Sequence, residues 1–188
     1  MPAQLPFTED AAANRRLATD PLALLIGMML DQQFPMERAF LSPHLLAQRL
    51  GGGLDAGAIS SMDEDALKMV FQGPPALHRF PGSMAARCRD MCRHVAEEYG
   101  GDAGRIWKQA ADGKDLLARL EALPGFGKAK ARIFVGVVGK RLGAGPTGWQ
   151  EYAADWPSIA DVDSFPKVYQ LREQKRAMKA AKKEGASG

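Results

Sequence analysis

The sequence predicts an all-α protein, and three observations carry that expectation. Apolar residues recur with helical spacing in most segments, capping and breaking residues bound those segments, and no alternating stretch exceeds a few residues. The chain has 188 residues, 46% hydrophobic and 25% charged, enough to bury a core without disulfide staples. This balance excludes collagen-like, low-complexity and wholly disordered classes. No internal repeat of solenoid period is present. The expected organisation is one compact unit over 1–188, either undivided or formed as two helical lobes with a cleft between them.

The elements follow in order. Asp20 before Pro21 reads as an N-cap followed by proline at the first helical position, and PLALLIGMMLDQQ continues as a nearly all-apolar, central helix. Pro35 opens a second helix, running to Leu50 and ended by Gly51-Gly52-Gly53. Ser61-Met62-Asp63-Glu64 reads as a capping box before a helix ending near Gln72. Gly73-Pro74-Pro75 breaks the chain, and a long amphipathic helix spans about Ser83 to Tyr99. Cys88 and Cys92 share one face of it with Met84, Met91 and Val95, as core residues do. A metal site would have to recruit His78 or His94, but four-ligand spacing is absent. His44, His78 and His94 are read as structural or surface residues. Short helices follow at Ala103–Ala110 and Lys114–Ala122, then a turn at 123–127 and a helix from Lys128 to about Leu142. Residues 143–157, rich in Gly and Pro, are expected to be irregular or to form a short helix. A last helix runs from Asp163 into a basic tail over 176–188 that frays after Lys183.

The longest apolar run, Pro21 to Leu30, is too short to span a bilayer, and the N-terminal residues have no secretory h-region. The expectation is a soluble, cytoplasmic monomer with no membrane partner.

Gly125 and Gly127, two apart in the 123–127 turn, leave backbone uncovered, so amide groups can approach a ligand closely. The following helix begins at the second glycine, where its N–H groups and dipole favour an anion. Lys128, Lys130 and Arg132 add positive charge. Such a turn can hold a phosphate without reading base sequence. The same residues also suit an ordinary αα-hairpin with a solvated basic face.

Leu123-Pro124-Gly125-Phe126-Gly127, with Lys128 and Ala131 behind it, resembles the hairpin of the helix-hairpin-helix–Gly/Pro/Asp (HhH-GPD) superfamily of DNA glycosylases. Met29-Leu30-Asp31-Gln32-Gln33 is similar to the Leu-Ser-Gln-Gln-type end of that family's early central helix. Ala160-Asp161-Val162-Asp163-Ser164-Phe165 resembles its catalytic Val-Asp-Thr-His-type segment. The resemblance covers roughly residues 20–175 and implies a helical glycosylase fold with the hairpin motif over 115–142. It implies base excision repair of duplex DNA carrying a damaged or mismatched base. Asp163 would be the catalytic carboxylate, with Asp161 its rival. It would stabilise the oxocarbenium-like sugar and orient the attacking water. Asp163 also suits a helix N-cap. Gln32 would fill the gap left by the flipped base, with Gln33 beside the substrate strand. Gly125, Phe126, Gly127, Lys128 and Lys130 would meet the DNA backbone. A monovalent cation, K⁺ or Na⁺, would sit on the main-chain carbonyls of Glu121, Leu123 and Phe126.

Departures from the family pattern refine these expectations. The Schiff-base lysine of strand-cutting members falls on Ala129, which favours a monofunctional enzyme with water as nucleophile. Two cysteines cannot supply a four-cysteine iron–sulfur cluster, so no such cofactor is expected. Gly127 and Asp163 lie 36 positions apart, and the excess falls in a segment containing Trp149, Tyr152 and Trp156. These aromatics either help form a base pocket by stacking or pin the loop to the core. The net charge of +3 divides unevenly. Residues 123–148 carry five basic and no acidic side chains, and 164–188 carry seven basic and two acidic. The remaining chain is therefore at 3 − 5 − 5 = −7. Two other readings stand beside the enzyme: a non-catalytic hairpin protein that binds DNA, and a helical module that binds protein.

Overall fold

The computed structural model describes residues 2–185. Among these the protein is all-helical, with no strand. Helix α1 (Ala11–Thr19), α2 (Pro21–Leu30) and α3 (Met36–Arg49) pack on one another. Helices α4 (Ala56–Ser61) and α5 (Glu64–Gln72) lie against the long α6 (Pro81–Tyr99). Helix α7 (Arg105–Lys108) leads to a third group, α8 (Gly113–Glu121), α9 (Lys128–Gly136) and α10 (Trp149–Tyr152). A 3₁₀ turn at Ile159–Asp161 precedes the final helix α11 (Pro166–Gly185). One contiguous apolar core joins the groups, so any cleft is a surface feature over shared packing.

Helix α2 is central for the reason its composition dictates. Nine of its ten residues are buried, which leaves no solvent face. The Asp20 carboxylate accepts from the N–H groups of Leu22 and Ala23 at 3.0 and 3.2 Å, capping the helix as expected. Burial pushes the Asp20 carboxyl above its usual range, against those two hydrogen bonds and Arg16. Cys88 and Cys92 are buried free thiols in the α6 stripe with Met84, Met91 and Val95.

Several boundaries differ from expectation. Helix α2 stops at Leu30, so Gln32 and Gln33 lie beyond it in a loop. The cap of α5 is Asp63, whose carboxylate accepts from Ala66 N–H at 3.0 Å, while Ser61 closes the unpredicted α4. The reciprocal capping box lies instead at Ser158 and Asp161. Helix α11 begins at Pro166, so Asp163 does not cap it. The basic segment expected to fray is helical to Gly185; residues 186–188 of that segment lie outside the described residues.

The helix expected to run from Lys128 to Leu142 changes character at Val137. Residues Val137–Arg141 form a π segment, with Leu142 N–H reaching back to the Val137 carbonyl at 3.1 Å. The wider turn turns Gly139 toward the Trp149 indole. A Cβ at Gly139 would lie 2.4 Å from three ring atoms, and one at Gly145 would lie 2.4 Å from the same ring. The indole thus occupies a slot between two glycines. We expect Gly139→Ala to overpack this slot and destabilise the fold by about 1–3 kcal/mol. A lower urea midpoint with an unchanged m-value would register it, and an unchanged midpoint would refute the slot.

Candidate functional site

Helices α8 and α9 form an αα-hairpin around the turn 122–127. Leu123 and Phe126 are buried, and the Phe126 N–H donates to the Leu123 carbonyl at 3.0 Å, which tightens the turn. Gly125 sits at φ +85°, in the left-handed region, with Met29 of α2 directly behind it. Gly127 heads α9 without any side-chain cap and has open space where a Cβ would stand. Among the described residues its N–H and those of Lys128 and Ala129 donate to no backbone carbonyl outside the helix ladder. Lys128 is exposed.

The hairpin is clamped to the end of α2. The Lys130 ammonium donates to the Met29 carbonyl at 2.9 Å, and the Gln32 amide donates to the same carbonyl at 2.9 Å. A helix leaves its last carbonyls without intrahelical donors, and these two side chains supply them. Gln32 is held further by the Met84 sulfur at 3.6 Å and by Arg87, which donates to its side-chain oxygen at 3.2 Å. Gln32 is therefore engaged on three sides within the protein. Gln33 is exposed, at φ +51°, a conformation uncommon outside glycine.

Beside this clamp lies a cleft of about 420 Å³. Met28, Phe34, Met36 and Ile133 give it apolar walls; Asp31, Gln32, Gln33, Lys130, Arg172 and Lys175 bring polar groups, and Ala129 lies on its rim. Burial pulls the Lys130 amine down to about 8, against the opposing attraction of Asp31. Burial likewise pushes the Asp31 carboxyl up, while Lys175 and Lys130 draw it down and Glu37 adds to the rise. Arg172 is braced by Glu37 at 2.9 Å.

His78, with no chemistry expected of it, supports the loop. It is 1% exposed. The Phe80 N–H donates to its Nδ1 at 3.0 Å, so Nε2 carries the proton and donates to the Gln32 carbonyl at 2.9 Å. Phe34 packs on the ring at 4.7 Å between centroids. Neither His78 nor Arg87 carries a local sequence signal for these roles, since each acts across a long sequence separation.

The remaining expected site residues lie elsewhere. Asp163 is exposed and accepts from Lys167 at 2.6 Å; this hydrogen bond holds its carboxyl below the usual range. Burial alone would raise Asp161, but hydrogen bonds from Lys140 at 2.6 Å and the Ser158 N–H at 3.0 Å outweigh it and hold it low. Neither aspartate lines the cleft. Trp149, Tyr152 and Trp156 do not line it either. Trp149 fills the glycine slot, Tyr152 packs against the core, and the Trp156 ring carries the Arg132 guanidinium 4.9 Å from its centroid. The aromatic segment thus pins a loop against α8 and α9 and leaves the cleft without a stacking wall from this quarter. Of the carbonyls expected to hold a cation, Leu123 accepts one backbone hydrogen bond and Glu121 and Phe126 accept none outside the helix ladders.

Comparison with protein-family models, curated proteins and solved structures finds no match.

Burial lowers the His78 pKa below its ordinary 6.5, more than its hydrogen bonds to backbone raise it. The unfolded chain therefore takes up a proton that the folded state resists. This contribution to stability is full above that ordinary value and is lost as pH falls below it. We expect the urea midpoint to drop between about pH 7 and pH 5, and to drop less in His78→Gln, which keeps a donor for Gln32. The same pH dependence in both proteins would remove His78 from the account.

Proposed function

We propose that the chain is a monofunctional DNA glycosylase of the helix-hairpin-helix kind, acting in base excision repair. The observation that carries this reading is adjacency. An open, amide-rich turn with a lysine at its head lies directly beside a cleft large enough to admit a nucleobase, with apolar walls and a few polar groups. In this reading the Gly125–Lys128 segment grips a phosphate of duplex DNA, and the N–H groups at the head of α9 supply the donors. The carbonyls of Glu121, Leu123 and Phe126 would hold K⁺ or Na⁺, adding positive charge at the same phosphate. Gln33, exposed on the cleft rim, is the side chain able to reach into the duplex, because Gln32 is committed internally. The damaged base swings into the cleft between Phe34 and Ile133, and water cleaves its glycosidic bond. Similarity of motif alone would give the assisting carboxylate to Asp163, which does not line the cleft.

A second reading, a non-catalytic DNA-binding protein, is favoured by one observation: Asp163 is tied to Lys167 outside the cleft. A panel of duplexes bearing uracil, hypoxanthine, methylated purines, oxidised bases and mismatches separates the two. The enzyme releases one of these bases; the binding protein releases none yet holds duplex in a salt-dependent manner.

Gly127→Ala tests the grip itself. Its φ of −91° and the open space around it allow a methyl group, so the melting temperature should hold. The methyl covers the amides, and duplex affinity should fall by roughly tenfold, about 1.4 kcal/mol. Unchanged affinity would place DNA elsewhere. Borohydride should trap no covalent DNA adduct, since Ala129 has no amine; an adduct would move the chemistry to Lys130.

A further inference from the structure

We propose that Asp31, inside the cleft, is the catalytic carboxylate that activates water against the sugar carbon. This rests on the glycosylase reading and names the residue that performs its chemical step. Asp31 closes the C-terminus of α2 and lines the cleft together with Gln32, Gln33, Ala129 and Lys130. Among the described residues its carboxylate enters no hydrogen bond and no ion pair, so both oxygens are open to a ligand. Polar groups that are partly buried usually have partners, and a free carboxylate facing a cleft able to admit a base points to a group awaiting substrate. Asp163 offers the contrast. Its carboxylate is spoken for by Lys167, its side chain is 52% exposed, and it lies before the start of α11. The α11 residues that reach the cleft, Arg172 and Lys175, lie about 9 and 13 Å further along the helix axis than Pro166.

The surroundings suit the task. Lys130 from α9 and Lys175 from α11 face Asp31, with Glu37 of α3 beyond and braced by Arg172, and Arg87 of α6 near Lys130. Burial makes the carboxylate more basic than a surface aspartate, as a proton acceptor should be, and the two ammonium groups oppose that rise by favouring its charged form. Lys130 is a positioning residue here, because its ammonium is already bound to the Met29 carbonyl. In the step, the bond between C1′ and the base nitrogen breaks, and its electron pair leaves on the nitrogen. The water oxygen bonds to C1′, the water proton passes to Asp31, and Asp31 returns it to the departing base. The sum is addition of one water, with no other reactant. As positive charge grows on the sugar, the ionised carboxylate also stabilises it.

The test uses the full chain and the duplex lesion that the wild type excises from the panel, with base release followed under single-turnover conditions. Asp31→Asn should lower the rate by about 100-fold or more, while affinity for a duplex carrying a tetrahydrofuran abasic analogue stays within about threefold. Asp31→Glu should recover at least about tenfold of that loss. Asp31→Ser is a second uncharged variant, so a folding defect in one leaves the comparison intact; thermal melts identify such a defect. If Asp31→Asn cuts at the wild-type rate, or Asp163→Asn carries the loss, the assignment of Asp31 is overturned while the glycosylase reading stands. A wild type that binds the abasic duplex but releases no base overturns both.

Discussion

The Met29 carbonyl is the point on which the local architecture turns. Helix α2 is apolar on every side and buried, so its C-terminal carbonyls cannot be left to water, and each unsatisfied one would cost about 1–3 kcal/mol. Two side chains meet the need at Met29, Gln32 from the loop just after the helix and Lys130 from α9, a hundred residues later. The second of these bonds fixes the hairpin to the central helix. Met29 then lies directly behind Gly125, which takes the left-handed backbone conformation that glycine favours. Satisfying one helix end therefore sets the hairpin, the cleft and the position of a partly buried lysine together.

The same constraint changes the meaning of the charge distribution. By sum, residues 123–148 are strongly positive, but the fold commits much of that charge. Lys130 is spent on the Met29 carbonyl, Lys140 on Asp161, Arg132 on Asp155 and the Ala153 carbonyl, and Arg141 on the Val162 carbonyl. Lys128 at the head of α9 keeps its exposed position. In α11, Lys167 and Arg172 are likewise paired, with Asp163 and Glu37. Within residues 123–148, what a polyanion would meet is thus less a basic stripe than one lysine beside a row of open amides, reinforced by the helix dipole of α9, while Arg176 and Lys179 of α11 stay exposed.

The class of fold was legible because periodicity and caps act locally. The Asp20-Pro21 start, the α6 stripe of Met84, Cys88, Met91, Cys92 and Val95, and the hairpin turn all depend on neighbours within a turn or two. Misplaced boundaries have local causes that compete with periodicity. Helix α2 ends early because Asp31 and Gln32 cap and turn it, although the apolar pattern runs to its very end. The π segment was hidden because the slot for Trp149 is made by residues ten and four positions before it. The site was legible in part: Gly125, Gly127, Gln33 and Lys130 gather at one edge. His78, Arg87 and Asp31 were not recognised, because a neutral histidine holding a loop carbonyl 46 residues away leaves no pattern in the chain.

The displacement of Asp163 follows from how the extra length before it is used. The residues between the π segment and the 3₁₀ turn neither loop freely nor reach the cleft. Pro146–Trp149 docks on α8 through the Thr147 carbonyl, which accepts from the Gly113 N–H at 2.9 Å, and the Trp149 ring locks between Gly139 and Gly145. Ala153 and Ala160 then pack near Gly136. The chain is thus pinned along the outside of α9 before it arrives at Asp161, where Lys140 and the Ser158 cap fix the 3₁₀ turn. Asp163 emerges two residues later, on the surface, and pairs with the next turn of its own chain through Lys167. Helix α11 then continues toward α2 and brings Arg172 and Lys175 to the cleft. A segment that resembles a catalytic one in sequence is therefore carried, by the packing of the insertion before it, to a place from which its helix delivers cations to the cleft, and the carboxylate they face there is Asp31.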